Sequence, residues 1–404
     1  MAHRLEPVAD VTEEAAAAVP PGGMPATRRL RVLMAVSAAE GVGGLETSFG
    51  RIVPALREQG VDASVLVIDA AGAGPASAVF FGQLMPTYTA RTVRQAARIV
   101  RRYDVVHVHG AAGTVLWPLA AVVACALTRT RLVATLHLPG VPDLPPRRRG
   151  RLRAKAERLP RELLLAWAAD VVASPTEAAA VVARHRLAPL RVPVRALDNG
   201  VPDPGPAALP GGPLRLVFVG RLSEQKRPDV FVDAVERAVS DGADIEADLV
   251  GDGPLCVNVA ARIGASAARD RITMHGFVPD PGAILAAGHA LVQTSGAEGG
   301  PMVAMEAAAI GRGIIARDGV PGLGAEWGDG VLRVSMDPAD LAGGFARAFA
   351  VLAADRSAVE RLGAGARARY ATHHTDAHAA RRLAAAYTDA IRRGGRRRAQ
   401  GSRA

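Results

Sequence analysis

Cysteine is scarce in this chain: only Cys125 and Cys256 occur among 404 residues. They lie far apart in the sequence and neither has a partner at metal-binding spacing, so a disulfide framework or a cysteine metal site is not expected. Long hydrophobic runs are also missing. The longest, residues 115–127, is shorter than the roughly 20 apolar residues of a membrane-spanning helix, and residues 1–27 lack the pattern of a signal peptide. We therefore expect a cytoplasmic protein.

Lysine is nearly absent as well. Of 49 basic residues only Lys155 and Lys226 are lysines, and this arginine bias is typical of a GC-rich, actinobacterial-type genome. Much of the net charge of +10 is concentrated in Arg147–Arg161 and in the tail Arg392–Arg403. Because aromatic residues make up only 4% and no nucleic-acid-binding motif occurs, this charge does not predict a nucleic-acid partner.

What the sequence does contain is a regular alternation of apolar strands and amphipathic helices. This pattern predicts parallel sheets covered by helices on both faces, and the chain is long enough for two such domains. We expect an α/β protein with two doubly wound, Rossmann-like domains facing a central cleft, with ligands at the carboxyl ends of the strands. The predicted divisions are a disordered tail (1–28), a first domain (29–203), a second domain (204–376), a helix that crosses back to the first domain (377–393) and a basic tail (394–404).

The segment Ser295–Gly311 carries two glutamates, Glu298 and Glu306, with seven residues between them. Pro301 suits the first position of a helix, and the glycines before it leave backbone N–H groups open to a ligand. A loop that leads into a helix N-terminus favours anion binding. Two carboxylates beside an anion site suggest a ligand with both phosphates and hydroxyls, such as a nucleotide sugar.

Two cations follow the predicted strand at residues 214–219. In Gly220-Arg221-Leu-Ser-Glu-Gln-Lys226 they leave the carboxyl end of this strand. Converging on one point, they would neutralise a diphosphate, Arg221 with its planar fork and Lys226 as a point charge. An isolated pair at this spacing is more often a solvated basic loop, so the prediction depends on the glutamate segment, which also follows a strand.

Together these motifs resemble those of the retaining GT-B glycosyltransferases of family 4. The spacing of Arg221 and Lys226 and the Glu298-x7-Glu306 segment carry most of the resemblance. Shorter elements of the family are similar to Gly43-Gly44-Leu-Glu46, Asp104-Val-Val-His-Val-His109, Asp198-Asn-Gly-Val201, Val250-Gly-Asp-Gly-Pro254 and Gly276-Phe-Val278. The resemblance extends over residues 30–375 and implies the GT-B fold.

The resemblance implies a role for each matching donor-site residue. Arg221 and Lys226 would bind the donor diphosphate, together with the backbone N–H groups of Met302 and Val303 at the start of a helix. Glu306 would accept hydrogen bonds from the ribose hydroxyls of the donor.

Further roles concern the transferred sugar and the first domain. By resemblance Glu298 would hold the hydroxyls of the sugar, and Gly43 and Gly44 would let the first domain approach the diphosphate. His109 would contact the sugar near the reacting centre, and His137, at the end of a neighbouring strand, is a candidate on the acceptor side. The residues implied in catalysis are Glu298, His109 and Lys226.

The expected chemistry follows from charge. Breaking a sugar–phosphate bond develops negative charge on the diphosphate, which the two cations and the helix N-terminus would stabilise. No Asp-x-Asp pair occurs at a fitting place, so we expect no metal ion and no other cofactor. No carboxylate is evident that could act as a nucleophile on the sugar. The resemblance implies retention by front-face attack, in which the leaving phosphate takes the proton of the acceptor.

Several alternatives stay open at this point. The acceptor can be a natural product, a small polar metabolite, or a lipid or polysaccharide. Arg147–Arg161 is either a solvated helix or a contact with anionic lipid that would place the protein at the inner face of the membrane. A sugar-nucleotide epimerase and a non-catalytic nucleotide-sugar-binding module are the rival functions. Glu46 disfavours a dehydrogenase, because it stands where the third glycine of a dinucleotide-binding loop is needed.

Overall fold

The computed structural model describes residues 28–37, 44–69, 76–110, 119–136, 168–296, 298, 300, 302–320, 322–335 and 340–401. Within these residues the chain forms two sheets, of seven and six strands, whose neighbouring strands all run parallel. The predicted α/β fold with two Rossmann-like domains is confirmed.

The first sheet is built from short, mostly buried strands. These are β1 (Leu30–Ser37), β2 (Val61–Ile68), β3 (Thr87–Ala90), β4 (Val105–Gly110), β5 (Arg131–Leu136), β6 (Val171–Ser174) and β7 (Val194–Ala196). The helices described between them are α1 (Gly44–Glu58), α2 (Ala76–Gly82), α3 (Val93–Val100), α4 (Leu119–Thr128) and α5 (Glu177–Leu187). The strand order is β3-β2-β1-β4-β5-β6-β7, so the chain reverses direction across the sheet between β1 and β4.

The second sheet repeats this plan with six strands. These are β8 (Leu214–Val219), β9 (Ile245–Val250), β10 (Ile272–Gly276), β11 (Ala290–Gln293), β12 (Gly313–Arg317) and β13 (Val331–Val334). Its helices are α6 (Pro228–Ser240), α7 (Cys256–Ala265), α8 (Gly282–Ala287), α9 (Met302–Ala309), α10 (Leu341–Ala354) and α11 (Arg356–His373). In the order β10-β9-β8-β11-β12-β13, the reversal lies between β8 and β11. Ligands of doubly wound sheets bind at such a reversal.

Strand β3 is the element that apolar patterning did not predict. Its four residues, Thr-Tyr-Thr-Ala, contain no apolar run, and only Ala90 is buried. Pairing with residues 65–68 of β2 makes it the edge of the first sheet. An edge strand packs against one neighbour only, so its sequence needs less apolar character than a central strand.

The long final helix, α12 (Asp376–Gly401), packs on the first sheet although it follows α11 of the second domain. Its residues Ala379, Ala380, Tyr387 and Ala390 are part of the same buried cluster as the strand residues of β1, β2, β4 and β5. At the crossing, an added Cβ on Gly200 would lie 2.8 Å from the Thr375 carbonyl oxygen. The two connections between the domains therefore run side by side in close contact.

Membrane spanning is not supported by the described helices. In that part of the chain no helix combines the length and the apolar composition needed to cross a membrane.

Candidate active site

Strands β8 and β11 are neighbours at the reversal of the second sheet, so the loops that follow them meet. Thr294 Oγ1 donates hydrogen bonds of 2.8 Å to the carbonyl oxygens of both Lys226 and Arg227. The backbone N–H of Gly296 donates to the Gln225 carbonyl at 2.8 Å. These three hydrogen bonds hold the loop of residues 220–227, here called the cation loop, against the glutamate segment.

The loop after β9 supports the cation loop from the other side. Gly251 has φ +139°, and an added Cβ there would lie 1.9 Å from the Gly220 carbonyl oxygen. Leu222 donates to the Asp252 carbonyl at 2.9 Å and is itself fully buried. Only glycine at position 251 lets the two loops approach this closely, and the anchored Leu222 places Arg221 at the loop surface.

Lys226 and Glu298 form the central ion pair of the site. Lys226 Nζ lies 2.6 Å from Glu298 Oε1, and the side chains are 20% and 7% exposed. Ser295 Oγ donates a hydrogen bond to the same carboxylate oxygen. The structure thus brings together two residues that the sequence predicted as parts of one site, and it adds Ser295 as a partner that the sequence analysis missed.

Arg317, at the end of β12, is a second residue that the sequence analysis missed. Its guanidinium donates a hydrogen bond to the Gly296 carbonyl oxygen. Burial lowers the pKa of Arg317, and the positive charge of Arg227 lowers it further. The carboxyl edge of this sheet therefore carries more positive charge than Arg221 and Lys226 alone provide.

Glu306, on α9, does not contact Lys226 or Glu298 but binds a residue of the other domain. Its Oε1 lies 2.7 Å from Nη1 of Arg51, which belongs to α1, and the side chains are 28% and 34% exposed. Arg51 was not predicted from the sequence, because the apolar period of α1 marks only the buried face of the helix. The ion pair spans the cleft at the residue expected to hold the ribose.

Asp376, the first residue of α12, lies near the same arginine. Burial raises the pKa of Asp376 from 3.8 to about 6, whereas the charge of Arg51 acts in the opposite direction. Arg51 of the first domain thus interacts with two carboxylates from the second half of the chain, Glu306 through an ion pair and Asp376 through its charge.

The remaining donor-side predictions are placed as follows. Arg221 is exposed and, among the described residues, forms no ion pair. Met302 and Val303 are half-buried and open helix α9, where the first N–H groups of a helix have no partner within it. Gly44 begins α1, while Gly43 lies outside the described residues.

His109 lies near the end of β4 in the first domain and is 7% exposed. Its ring packs against that of His107, with centroids 3.9 Å apart and planes inclined by 42°. His107 in turn contacts Thr135 of β5 and Tyr387 of α12. His137 and Arg147–Arg161 lie outside the described residues. Among the residues that are described, no three His, Cys, Asp or Glu side chains cluster as metal ligands.

Two facing Rossmann-like domains with cations and carboxylates at the strand reversal define a GT-B protein, and comparison with known proteins supports this class. A model described as Glycosyltransferase Family 4 matches residues 42–203, and one described as Glycosyl transferases group 1 matches residues 213–355. The chain belongs to this family of retaining glycosyltransferases.

Solved structures are similar over nearly the whole fold. HepE of Anabaena in complex with UDP and glucose has a TM-score of 0.70 at 16% identity, covering 88% of this chain and 98% of that one. The pneumococcal O-GlcNAc transferase GtfA, in complex with UDP and GlcNAc, has a TM-score of 0.69 at 11% identity, covering 90% and 99%. At these identities the likeness concerns the fold.

A curated relative matches a shorter stretch. The chain is 27% identical over 128 residues to an alpha-D-kanosaminyltransferase of Streptomyces kanamyceticus. This match spans 30% of the chain and 32% of the length of that relative.

Proposed function

We propose that this protein transfers a sugar, with retention of configuration, from a nucleotide-diphosphate sugar to a hydroxyl of an acceptor. The observation that carries the proposal is the ion pair of Lys226 and Glu298 at the strand reversal of the second sheet. Glu298 precedes Met302, the first residue of α9, by four positions, and a helix N-terminus favours phosphate binding. HepE and GtfA were solved with UDP, so a UDP-sugar is the first donor to test.

In the proposed complex the diphosphate binds between Arg221, Lys226 and the N-terminus of α9. Arg221 is exposed and can fork around phosphate oxygens, whereas Lys226 is held in place by its loop. These groups stabilise the negative charge that develops as the sugar–phosphate bond breaks. Because they already meet that charge, we expect no divalent metal ion to be needed, and turnover in excess EDTA should equal turnover without it.

Glu298 is proposed to bind the sugar. Both described hydrogen bonds to its carboxylate, from Lys226 and Ser295, use Oε1. In the proposal Oε2 accepts from a hydroxyl of the transferred sugar, so one side chain links sugar and diphosphate sites. His109 is proposed to approach the same sugar from the first domain, as the family resemblance implies.

Glu306 is proposed to accept hydrogen bonds from the ribose. The described ion-pair partner of this carboxylate is Arg51 of the opposite domain. Donor binding would therefore exchange an arginine for two hydroxyls at Glu306 and weaken one contact between the two domains. The acceptor would bind on the first-domain side, and its class stays open among the natural-product, small-metabolite, lipid and polysaccharide alternatives.

A donor panel tests the proposal. The protein is incubated with UDP-, GDP-, ADP- and dTDP-glucose, binding is followed by calorimetry, and release of the nucleoside diphosphate by chromatography. We expect one nucleotide class to bind and to be slowly hydrolysed. Binding without release would favour the binding module, inversion at a sugar carbon without release would favour the epimerase, and no binding would refute the proposal.

A further inference from the structure

Two histidines lie on the same face of β4, because residues 107 and 109 are two positions apart on a strand. Helix α12 covers this face: its Tyr387 belongs to the same buried cluster as Val105 of β4 and Val133 of β5. Tyr387 and His107 are both fully buried. A helix that follows the second domain thus packs directly behind the proposed catalytic strand of the first.

The His107 ring is held at both nitrogens. Nδ1 lies 2.9 Å from the Tyr387 hydroxyl and Nε2 lies 2.7 Å from Thr135 Oγ1. Each hydroxyl can donate or accept, so both bonds persist in either neutral tautomer of the imidazole. Two bonds in the plane of the ring fix its rotation, which for a histidine side chain is otherwise broad.

The fixed ring of His107 forms the packing surface of His109. The two ring centroids are only 3.9 Å apart, and the Tyr387 ring meets His107 in a T-shaped contact, with centroids 5.5 Å apart and planes inclined by 73°. Any rotation of His107 would displace the His109 ring. The orientation of His109 therefore depends on a hydroxyl 280 residues away from His107 in sequence.

We propose that Tyr387 and His107 are positioning residues that set the orientation of His109 during glycosyl transfer. The proposal rests on the proposed function, in which His109 contacts the transferred sugar. Tyr387 does not touch the substrate, and it acts through His107. A displacement of about 1 Å at a reacting group can cost about a hundredfold in rate, so loss of the Tyr387 hydroxyl should affect turnover more than binding.

The test compares Tyr387→Phe with Tyr370→Phe. Tyr370 is equally buried, and its hydroxyl donates a 2.9 Å bond to the Val201 carbonyl, away from His109. With the sugar nucleotide that is hydrolysed fastest in the donor panel, we expect Tyr387→Phe to lower kcat ten- to hundredfold at unchanged donor KM. Tyr370→Phe should lose a similar amount of thermal stability while kcat stays within twofold. Equal kcat values for the two variants would overturn the proposal.

A double-mutant cycle with His109→Ala distinguishes the positioning role of Tyr387 from the sugar contact proposed for His109. If Tyr387 acts through His109, Tyr387→Phe has no further effect on the residual turnover of His109→Ala, whereas a multiplied loss would overturn the positioning role. Wild-type turnover in His109→Ala would instead refute the role of His109 in the proposed function, and the inference with it. If Tyr387→Phe does not fold, Thr135→Val removes the other hydrogen bond to His107. This variant should lower kcat to the same extent and leave the donor KM unchanged.

Discussion

Replacing Lys226 by methionine should leave Glu298 as a buried carboxylate without its positively charged partner. The glutamate side chain is 7% exposed and would retain Ser295 as a hydrogen-bond donor. Removing one partner of a buried pair costs about 3–5 kcal/mol. Because Lys226 is itself 20% exposed and Ser295 stays in place, we expect about 2 kcal/mol, which corresponds to a fall in Tm of about 4–8 °C.

A second substitution separates stability from turnover. In the double variant Lys226→Met/Glu298→Gln no charge remains buried, and the amide can still accept from Ser295. We expect the double variant to regain most of the lost Tm, because a neutral pair of similar shape replaces the buried, unpaired carboxylate of Glu298. Turnover should stay at least a hundredfold below wild type in both variants, since the diphosphate has lost its buried cation.

The measurements are calorimetric Tm and hydrolysis of the sugar nucleotide selected in the donor panel. Arg262→Met is the matched control, because its pair with Asp233 is 47% and 28% exposed and should contribute less than about 1 kcal/mol. Tm of this control should change little and its turnover not at all. If the double variant were as unstable as Lys226→Met, the unpaired Glu298 carboxylate would not be the cause of the lost stability. Wild-type turnover in Lys226→Met would refute the role of Lys226 in binding the diphosphate.

Three further predictions concern the cleft and its supporting loops. Arg51→Gln should tighten binding of the donor nucleotide by about two- to fivefold in calorimetric titration, because the donor no longer competes with a partly exposed ion pair at Glu306; weaker binding would contradict this. The pKa of Asp376 is raised to about 6 in the folded protein, so the carboxyl group should destabilise the fold increasingly as pH rises from about 4 to 6. Denaturant titrations should show this slope in wild type and a flatter one in Asp376→Asn, and equal slopes would exclude it. Gly251→Ala should lower Tm by several degrees and weaken nucleotide binding, because the new Cβ would meet the Gly220 carbonyl; wild-type behaviour in both assays would refute the loop contact.

Much of the fold was predictable because its signals are local. The buried strands of parallel sheets are apolar runs, and the turns at their carboxyl ends contain glycine and polar residues, so the two domains and the loop of Arg221 and Lys226 could be recognised. Strand β3 was not predicted, because this edge strand has no apolar run. Ser295 escaped because a serine before a glycine loop is common, and only the position of Glu298 gives it a role.

The sequence by itself determined the class of fold, the family resemblance and most residues of the candidate site, since period, turn chemistry and motif spacing are properties of neighbouring residues. Only the tertiary structure decided which of these residues meet. Lys226 reaches Glu298 because β8 and β11 are adjacent at the strand reversal. Arg51 reaches Glu306 across the cleft, and Tyr387 reaches His107 because the last helix returns to the first domain. Such contacts depend on strand order and on how the domains pack, and no local pattern encodes either.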